Sequence, residues 1–196
     1  MNVEETVVAA VSPHPAVEQI ELVGSRAQGR ATRWSDWDFA VRARDFAAVS
    51  GALPELLAPL EPLVEQWDRL GETWCWMLLL DGPVKVDLIF PDEPHEQAGP
   101  WEPGPDTLPG IDDHFWDWML WLHSKEAAGK EEVVVVELKK LQAHLLGPLG
   151  AAREPSSVAE AVAAYREARG RTERQLGFVV DRAVERGVAP SLPSSH

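Results

Sequence analysis

The sequence predicts an α/β (α+β) fold, in which a mixed sheet with flanking helices is followed by a C-terminal helical bundle. As far as residue 90, short apolar runs rich in β-branched residues alternate with helical patterns. A stretch dense in proline and glycine follows, and beyond it the apolar residues recur at helical spacing. These observations indicate two regions with different architecture.

The expected boundaries follow this change in composition. Residues 1–90 form the predicted α/β domain, 91–110 the Pro/Gly-rich linker, 111–188 the C-terminal helical domain and 189–196 a flexible tail. The linker carries six prolines and three glycines and has no periodic apolar pattern, which favours an irregular connection.

The elements of the first region can be placed by periodicity and turn signals. Pro54 predicts a break in the third helix, because proline lacks an N–H and clashes with the preceding turn. The turn Asp81-Gly82-Pro83 joins two strands as an antiparallel hairpin, so the sheet is expected to be mixed. The predicted order is helix 3–11, strand 17–23, loop and helix 25–32, strand 37–42, helix 45–60, and strands 63–67, 73–80 and 84–90.

Three helices are predicted after the linker, over residues 111–124, 131–146 and 157–185. The last begins with a capping-box pattern at 157–160 and has a weak point at Gly170. The first carries His114 and several tryptophans, which predict either a packed core or an aromatic substrate site.

Two aspartates, Asp36 and Asp38, stand at the start of the second predicted strand. Because side chains alternate along a strand, both point to one face, with Cα atoms about 6–7 Å apart. Carboxylates this close repel unless a cation lies between them, and hard oxygen ligands suit Mg²⁺. The alternative is a pair of solvated acids at a strand end.

A glycine-serine pair directly follows the first predicted strand. Gly24 lacks a Cβ and lets backbone N–H groups approach a phosphate closely, while Ser25 adds a hydroxyl. A helix that begins just after Ser25 would direct its positive end at the same anion. The pair is a candidate phosphate site, and the alternative is a tight turn that binds nothing.

A third aspartate, Asp87, interrupts the apolar strand 84–90. A carboxylate there is unfavourable unless it is paired or bound to metal. A sheet that places this strand beside Asp36 and Asp38 would bring together three carboxylates, enough to hold two metal ions about 3.5–4 Å apart for in-line phosphoryl or nucleotidyl displacement. The alternative is an acid that faces outward from an antiparallel strand.

These residues together resemble the nucleotidyltransferase superfamily related to DNA polymerase β. The resemblance covers about residues 17–90 and is closest to the small bacterial aminoglycoside and lincosamide nucleotidyltransferases. Trp37 is larger than the aliphatic residue usual between the paired acids. The motifs that carry the resemblance are Gly24-Ser25-Arg26-Ala27-x-Gly29, Ser35-Asp36-x-Asp38 and the lone Asp87.

The resemblance implies an adenylyltransferase that moves AMP, or another nucleoside monophosphate, from a triphosphate to a hydroxyl of a small, cationic, antibiotic-like acceptor. It implies two Mg²⁺ ions on Asp36, Asp38 and Asp87, with ATP as the donor and Asp87 able to serve as base. Two alternatives stay open. One is an antitoxin-type minimal nucleotidyltransferase that modifies a partner protein with AMP, and the other is a non-catalytic nucleotide-binding protein.

Further nucleotide-binding residues follow from the resemblance. It places Arg26 near the phosphates, adds Ser35 from the second motif, and assigns a triphosphate contact to Lys125 in the first helix after the linker. A solvated helix end explains Lys125 equally well.

The formal net charge of −14 argues against a nucleic-acid partner, because neutralising phosphates requires clustered Lys and Arg. It suits a cationic small substrate, although excess acids also simply keep proteins in solution. Cys75 is the single cysteine and reads as a small core residue. With no basic signal-like start and no membrane-length apolar run, the expected location is cytoplasmic, without a membrane partner. Monomer and homodimer both stay open.

Overall fold

The computed structural model describes residues 2–193 and divides into two compact units between Ala98 and Gly99. Residues 194–196 of the predicted tail lie outside the described residues. Of the helices in the described range, none has both the length and the apolar composition needed to cross a bilayer.

The first unit contains a mixed sheet whose described strands run in the order β1-β2-β5-β4-β3. All neighbours are antiparallel except β2 and β5, which are parallel. The predicted mixed α/β class is therefore confirmed. The strands are β1 Val17–Val23, β2 Trp37–Ala43, β3 Val64–Trp67, β4 Thr73–Leu80 and β5 Val84–Pro94.

Helices α1 (Val3–Val11) and α3 (Phe46–Leu57) pack with the sheet to form the core of the first unit. In α1 the buried valines recur every four residues, which places them on one face of the helix. A short helix, α2 (Gly24–Ala27), follows β1 directly. Because the core lies under the central strands, these strands provide a rigid base for the residues at their ends.

The predicted break at Pro54 is wrong, because α3 runs continuously through it. The fully buried neighbours Val49, Leu53 and Leu57 lie on one side of the helix. Burying three such side chains contributes about 1.5–3 kcal/mol each, which outweighs the roughly 3 kcal/mol cost of an interior proline. Packing therefore overrides the local signal.

The second unit is helical in the described range, as predicted. Its first helix is longer than expected at both ends, and the second continues into a π-helical turn. The elements are α4 Leu108–Ala127, α5 Glu131–Leu141 with the π-helical turn Gln142–Leu146, α6 Val158–Leu176, α7 Ala183–Val188 and the 3₁₀ turn Ala189–Ser191.

The predicted single helix over 157–185 is correct at its start and wrong at its end. Ser157 caps α6, and its Oγ accepts the N–H of Glu160 at 3.2 Å. Gly170 stays inside the helix, whereas Gly177 ends it with a left-handed φ of 64°. Glycine adopts that conformation without the steric cost of a Cβ, so the helix stops beyond the predicted weak point and well before residue 185.

A buried polar network joins α4 to α6 within the second unit. Asp112 is fully buried, and its Oδ1 accepts hydrogen bonds from the Tyr165 hydroxyl at 2.7 Å and from Arg169 Nη1 at 2.5 Å. Burial, followed by the charge of Asp112, raises the pKa of Tyr165. Because each charge in this network has a partner, the network ties two helices together without leaving a buried ion alone.

Candidate active site

Asp38 and Asp87 are directly paired across the parallel strands β2 and β5. On the other side of β2, Val23 at the end of β1 pairs with Asp38. The end of β1, the start of β2 and the middle of β5 therefore meet in one row of the sheet. Neighbouring strands lie about 4.8 Å apart, so this register alone brings the two carboxylates close together.

Asp36 completes a cluster of three carboxylates, which we call the Asp36/Asp38/Asp87 cluster. One oxygen of each side chain lies within 4.8 Å of the others. Asp36 lies one residue before β2 and is 5% exposed, and Asp87 is 9% exposed. Three carboxylates this close repel one another, and a cation among them offsets that repulsion.

The cluster fits a divalent metal ion. Opposite oxygen ligands of Mg²⁺, with bonds of about 2.1 Å, lie about 4.2 Å apart. The observed spread of up to 4.8 Å is therefore within a small side-chain adjustment of octahedral geometry. The donor set is all oxygen, as hard divalent ions prefer.

Gly24 lies directly against this cluster. Its φ is +69°, and a Cβ at this position would lie 2.2 Å from Asp38 Oδ2. The missing side chain therefore makes room for the Asp38 carboxylate. The phosphate contact predicted for Gly24 stays a prediction.

Arg26 links the turn after β1 to the segment that carries the paired acids. Its Nε donates to the backbone carbonyl of Asp36 at 3.0 Å, and its Nη2 donates to that of Ser35 at 2.5 Å. The guanidinium also lies over the ring of Trp37, 4.0 Å from its centroid. Burial lowers the pKa of Arg26, and the charges of Asp36 and Asp38 oppose that shift.

Ser35 and Ser25 both take part in the loop between α2 and β2. The Ser35 Oγ accepts the backbone N–H of Thr32 at 2.9 Å, and the Ser25 carbonyl accepts that of Arg30 at 2.9 Å. These bonds fold the loop back on itself ahead of Asp36. The phosphate contacts assigned to Ser25, Arg26 and Ser35 stay predictions.

Sequence reasoning missed Lys85, a buried cation beside the cluster. Lys85 is 5% exposed, and its Nζ lies 2.7 Å from Asp87 Oδ1. A signal was present in the sequence, because Lys85 stands two residues before Asp87 on the same strand. Alternation along a strand places two such side chains on one face.

Lys125 and the tryptophans of α4 belong to the second unit. The Lys125 Nζ lies 4.6 Å from the centroid of the Trp121 ring, and its predicted triphosphate contact stays a prediction. Trp116 is fully buried and His114 is 4% exposed, which favours the core interpretation of these aromatic residues. Asp117 is also buried, at 4% exposure.

Comparison with known proteins gave no matching family model and no matching curated protein. Solved structures do match. One is an aminoglycoside 6-adenyltransferase from Bacillus subtilis, at 9% identity and a TM-score of 0.35, with 95% of each chain covered.

Two further matches come from larger chains. The GLD-2/RNP-8 complex matches at 15% identity and a TM-score of 0.36, covering 82% of this chain and 46% of that one. The polymerase core of TRAMP, an RNA surveillance complex, matches at 11% identity and a TM-score of 0.36. This match covers 94% of this chain and 54% of that one. All three TM-scores lie below 0.5, and the function is therefore argued from the geometry of the site.

Proposed function

We propose that this chain is a metal-dependent nucleotidyltransferase, with ATP as donor and two Mg²⁺ ions as cofactors. The observation that carries the proposal is the convergence of Asp36, Asp38 and Asp87 beside the turn at Gly24. Three carboxylates on a rigid sheet, next to a turn at the end of a strand, are suited to hold metal and a phosphate chain together.

Each residue has a defined task in the proposed site. Asp36, Asp38 and Asp87 would hold the metal ions, whose charge compensates the phosphate oxygens during transfer. The backbone N–H groups at Gly24 and Ser25 would face the phosphates, because backbone N–H groups in a turn can bind anions and this turn lies beside Asp38. Arg26 would keep the loop before Asp36 in place.

In the proposed reaction, a hydroxyl oxygen of the acceptor attacks the α-phosphorus in line. The bond from the α-phosphorus to the bridging oxygen breaks, and pyrophosphate leaves with that oxygen. The hydroxyl proton passes to a carboxylate, for which Asp87 is the candidate in the first unit. Holding both reactants in line supplies much of the rate enhancement.

The proposed acceptor is a small cationic molecule with hydroxyl groups, of the aminoglycoside or lincosamide kind. The net charge of −14 supports this choice, since an acidic protein attracts cations and repels nucleic acid. AMP transfer to a partner protein is the alternative that the same site would allow.

The test incubates the full chain with Mg²⁺, α-labelled nucleoside triphosphates and a panel of aminoglycosides and lincosamides. We expect label on an acceptor together with acceptor-dependent release of pyrophosphate. The Asp36→Asn variant should lose both signals, and Glu55→Gln, an exposed acid on α3, should keep them. Metal binding without any triphosphate binding or transfer would overturn the proposal.

A further inference from the structure

Lys85 is the one buried ammonium seen beside the Asp36/Asp38/Asp87 cluster in the described residues. Its side chain is 4% exposed, and that of Asp87 is 12% exposed. Taking an ammonium out of water is unfavourable, and a buried ion pair often stabilises a fold no better than apolar residues of the same volume. Its cross-strand partner Leu79 is fully buried and apolar, so this region of the sheet could accommodate an apolar side chain.

The ion pair has two physical effects on Asp87. A charge-assisted contact of 2.7 Å restrains the rotation of the Asp87 carboxylate on its strand. It also offsets part of the repulsion among the three carboxylates, because an ammonium is held within the same low-dielectric region. Three acids still outnumber the two cations that act on them in the described part of the chain, Lys85 and Arg26, so the cluster continues to favour a metal ion.

We propose that Lys85 is a positioning residue for Asp87. It holds this carboxylate in the orientation used for transfer, and it weakens the attraction of the cluster for metal so that ions can exchange between turnovers. The transfer half of this inference rests on the proposed function, and the metal half does not. Loss of Lys85 should therefore lower the transfer rate but raise the metal affinity. A purely structural residue would lower both.

The expected result of Lys85→Met is tighter metal binding with slower chemistry. Removing one positive charge beside the cluster should tighten Mn²⁺ binding to the full chain, without nucleotide, by about 3- to 30-fold. Losing the group that orients Asp87 should lower the transfer rate constant by about 10- to 100-fold. A residue that only supported the fold would instead weaken both.

The experiment measures Mn²⁺ affinity by calorimetry on the wild type, Lys85→Met and Lys85→Gln, with circular dichroism to verify folding. Lys85→Gln keeps an N–H donor without the charge, so it should also bind Mn²⁺ more tightly while losing less of the transfer rate. It also provides the test if the methionine variant does not fold. Lys139→Met, at an exposed position on α5, is the matched control and should leave Mn²⁺ affinity unchanged.

A double-mutant cycle tests whether Lys85 acts through Asp87. In an Asp87→Asn background, Lys85→Met should change the residual transfer rate by less than about twofold. The reason is that Lys85 no longer has an Asp87 carboxylate to orient. Unchanged or weaker Mn²⁺ binding in Lys85→Met and Lys85→Gln overturns the inference even if the wild type transfers nucleotides. If the wild type transfers nothing, the proposed function fails, and the Mn²⁺ comparison still decides the charge effect of Lys85.

Discussion

Gly24 and Asp38 are in such close contact that a methyl group on Gly24 would overlap the Asp38 carboxylate, with 2.2 Å between its Cβ and Oδ2. The contact arises because β1 ends at Val23, which pairs with Asp38 across the sheet. A turn residue and a metal-ligand candidate thus depend on each other. A residue other than glycine at position 24 is therefore disfavoured both by the left-handed backbone conformation and by a steric clash with Asp38.

The first prediction is that Gly24→Ala displaces Asp38 and weakens Mn²⁺ binding by about 10- to 100-fold. Gly29→Ala is the matched control, because Gly29 also has a left-handed φ of 65°, but a methyl group there would meet no atom within 4 Å. Both variants should lose about 1 kcal/mol of stability from backbone strain. Calorimetry with Mn²⁺ checks the difference, and equal metal affinity in the two variants would count against the contact.

The second prediction concerns the repulsion within the cluster. Asp38→Asn should weaken Mn²⁺ binding by at least about 10-fold and change the stability of the metal-free chain by less than about 1 kcal/mol, because the repulsion removed from the cluster is offset by the lost attraction to Arg26. Urea unfolding with and without Mn²⁺ measures both effects. Glu55→Gln, which removes one exposed acid elsewhere, should change neither. A metal-free Asp38→Asn chain that is clearly less stable would show that the carboxylate is held by attractive contacts instead.

The third prediction is that Arg26→Lys loosens the loop before Asp36. Lysine cannot donate to the Ser35 and Asp36 carbonyls as a planar fork or stack on Trp37 in the same way. We expect a loss of about 1–2 kcal/mol in stability and faster hydrogen exchange over residues 28–36. Arg30→Lys, where the guanidinium contacts only the exposed Gln28 side chain among the described hydrogen bonds, should leave exchange in that loop unchanged.

The fourth prediction is a pH effect at Asp113. Burial, followed by the charge of Asp112, raises the pKa of Asp113 to about 6. Between about pH 4 and pH 6 the folded chain therefore keeps a proton that the unfolded chain has released, so the free energy of unfolding falls as pH rises through this window.

Asp113→Asn should remove the loss of stability that ionisation of Asp113 causes above about pH 6. Because the side chain is partly exposed and screened by solvent, we expect a gain of about 1 kcal/mol at pH 7.5 and none at pH 4. Urea unfolding of the wild type and of Asp113→Asn at the two pH values measures this gain in stability. Asp106→Asn, at an exposed position before α4, is the control. An equal gain at both pH values would assign the effect to something other than ionisation.

Each of the three acids could be found in the sequence by its immediate neighbours, whereas their convergence depends on the topology of the sheet. The spacing of Asp36 and Asp38 and the turn at Gly24 can be read along one short stretch, and an acid in an apolar strand is conspicuous wherever it lies. Lys85 carried the same kind of signal, since it shares a strand face with Asp87, but its burial depends on the whole sheet.

The errors lie where packing overrides local preference. Pro54 reads as a helix breaker, yet the buried face of α3 holds the helix together. Gly170 and Gly177 look alike in sequence, and only the second adopts a left-handed conformation. The pairing of β2 with β5 also could not be read from the sequence, because a parallel neighbour is set by the topology of the whole unit.

The position of β5 in the sheet has a consequence for biosynthesis. β5 lies between the antiparallel pairs β1–β2 and β3–β4, although it is the last of the five described strands to leave the ribosome. A nascent chain that stops at residue 80 therefore contains β2 and β4 but not β5, the strand with which both of them pair. It also contains only two of the three acids. Metal would find its full set of ligands only after the central strand has been inserted, so ion capture by the growing polypeptide should report the moment at which this sheet closes.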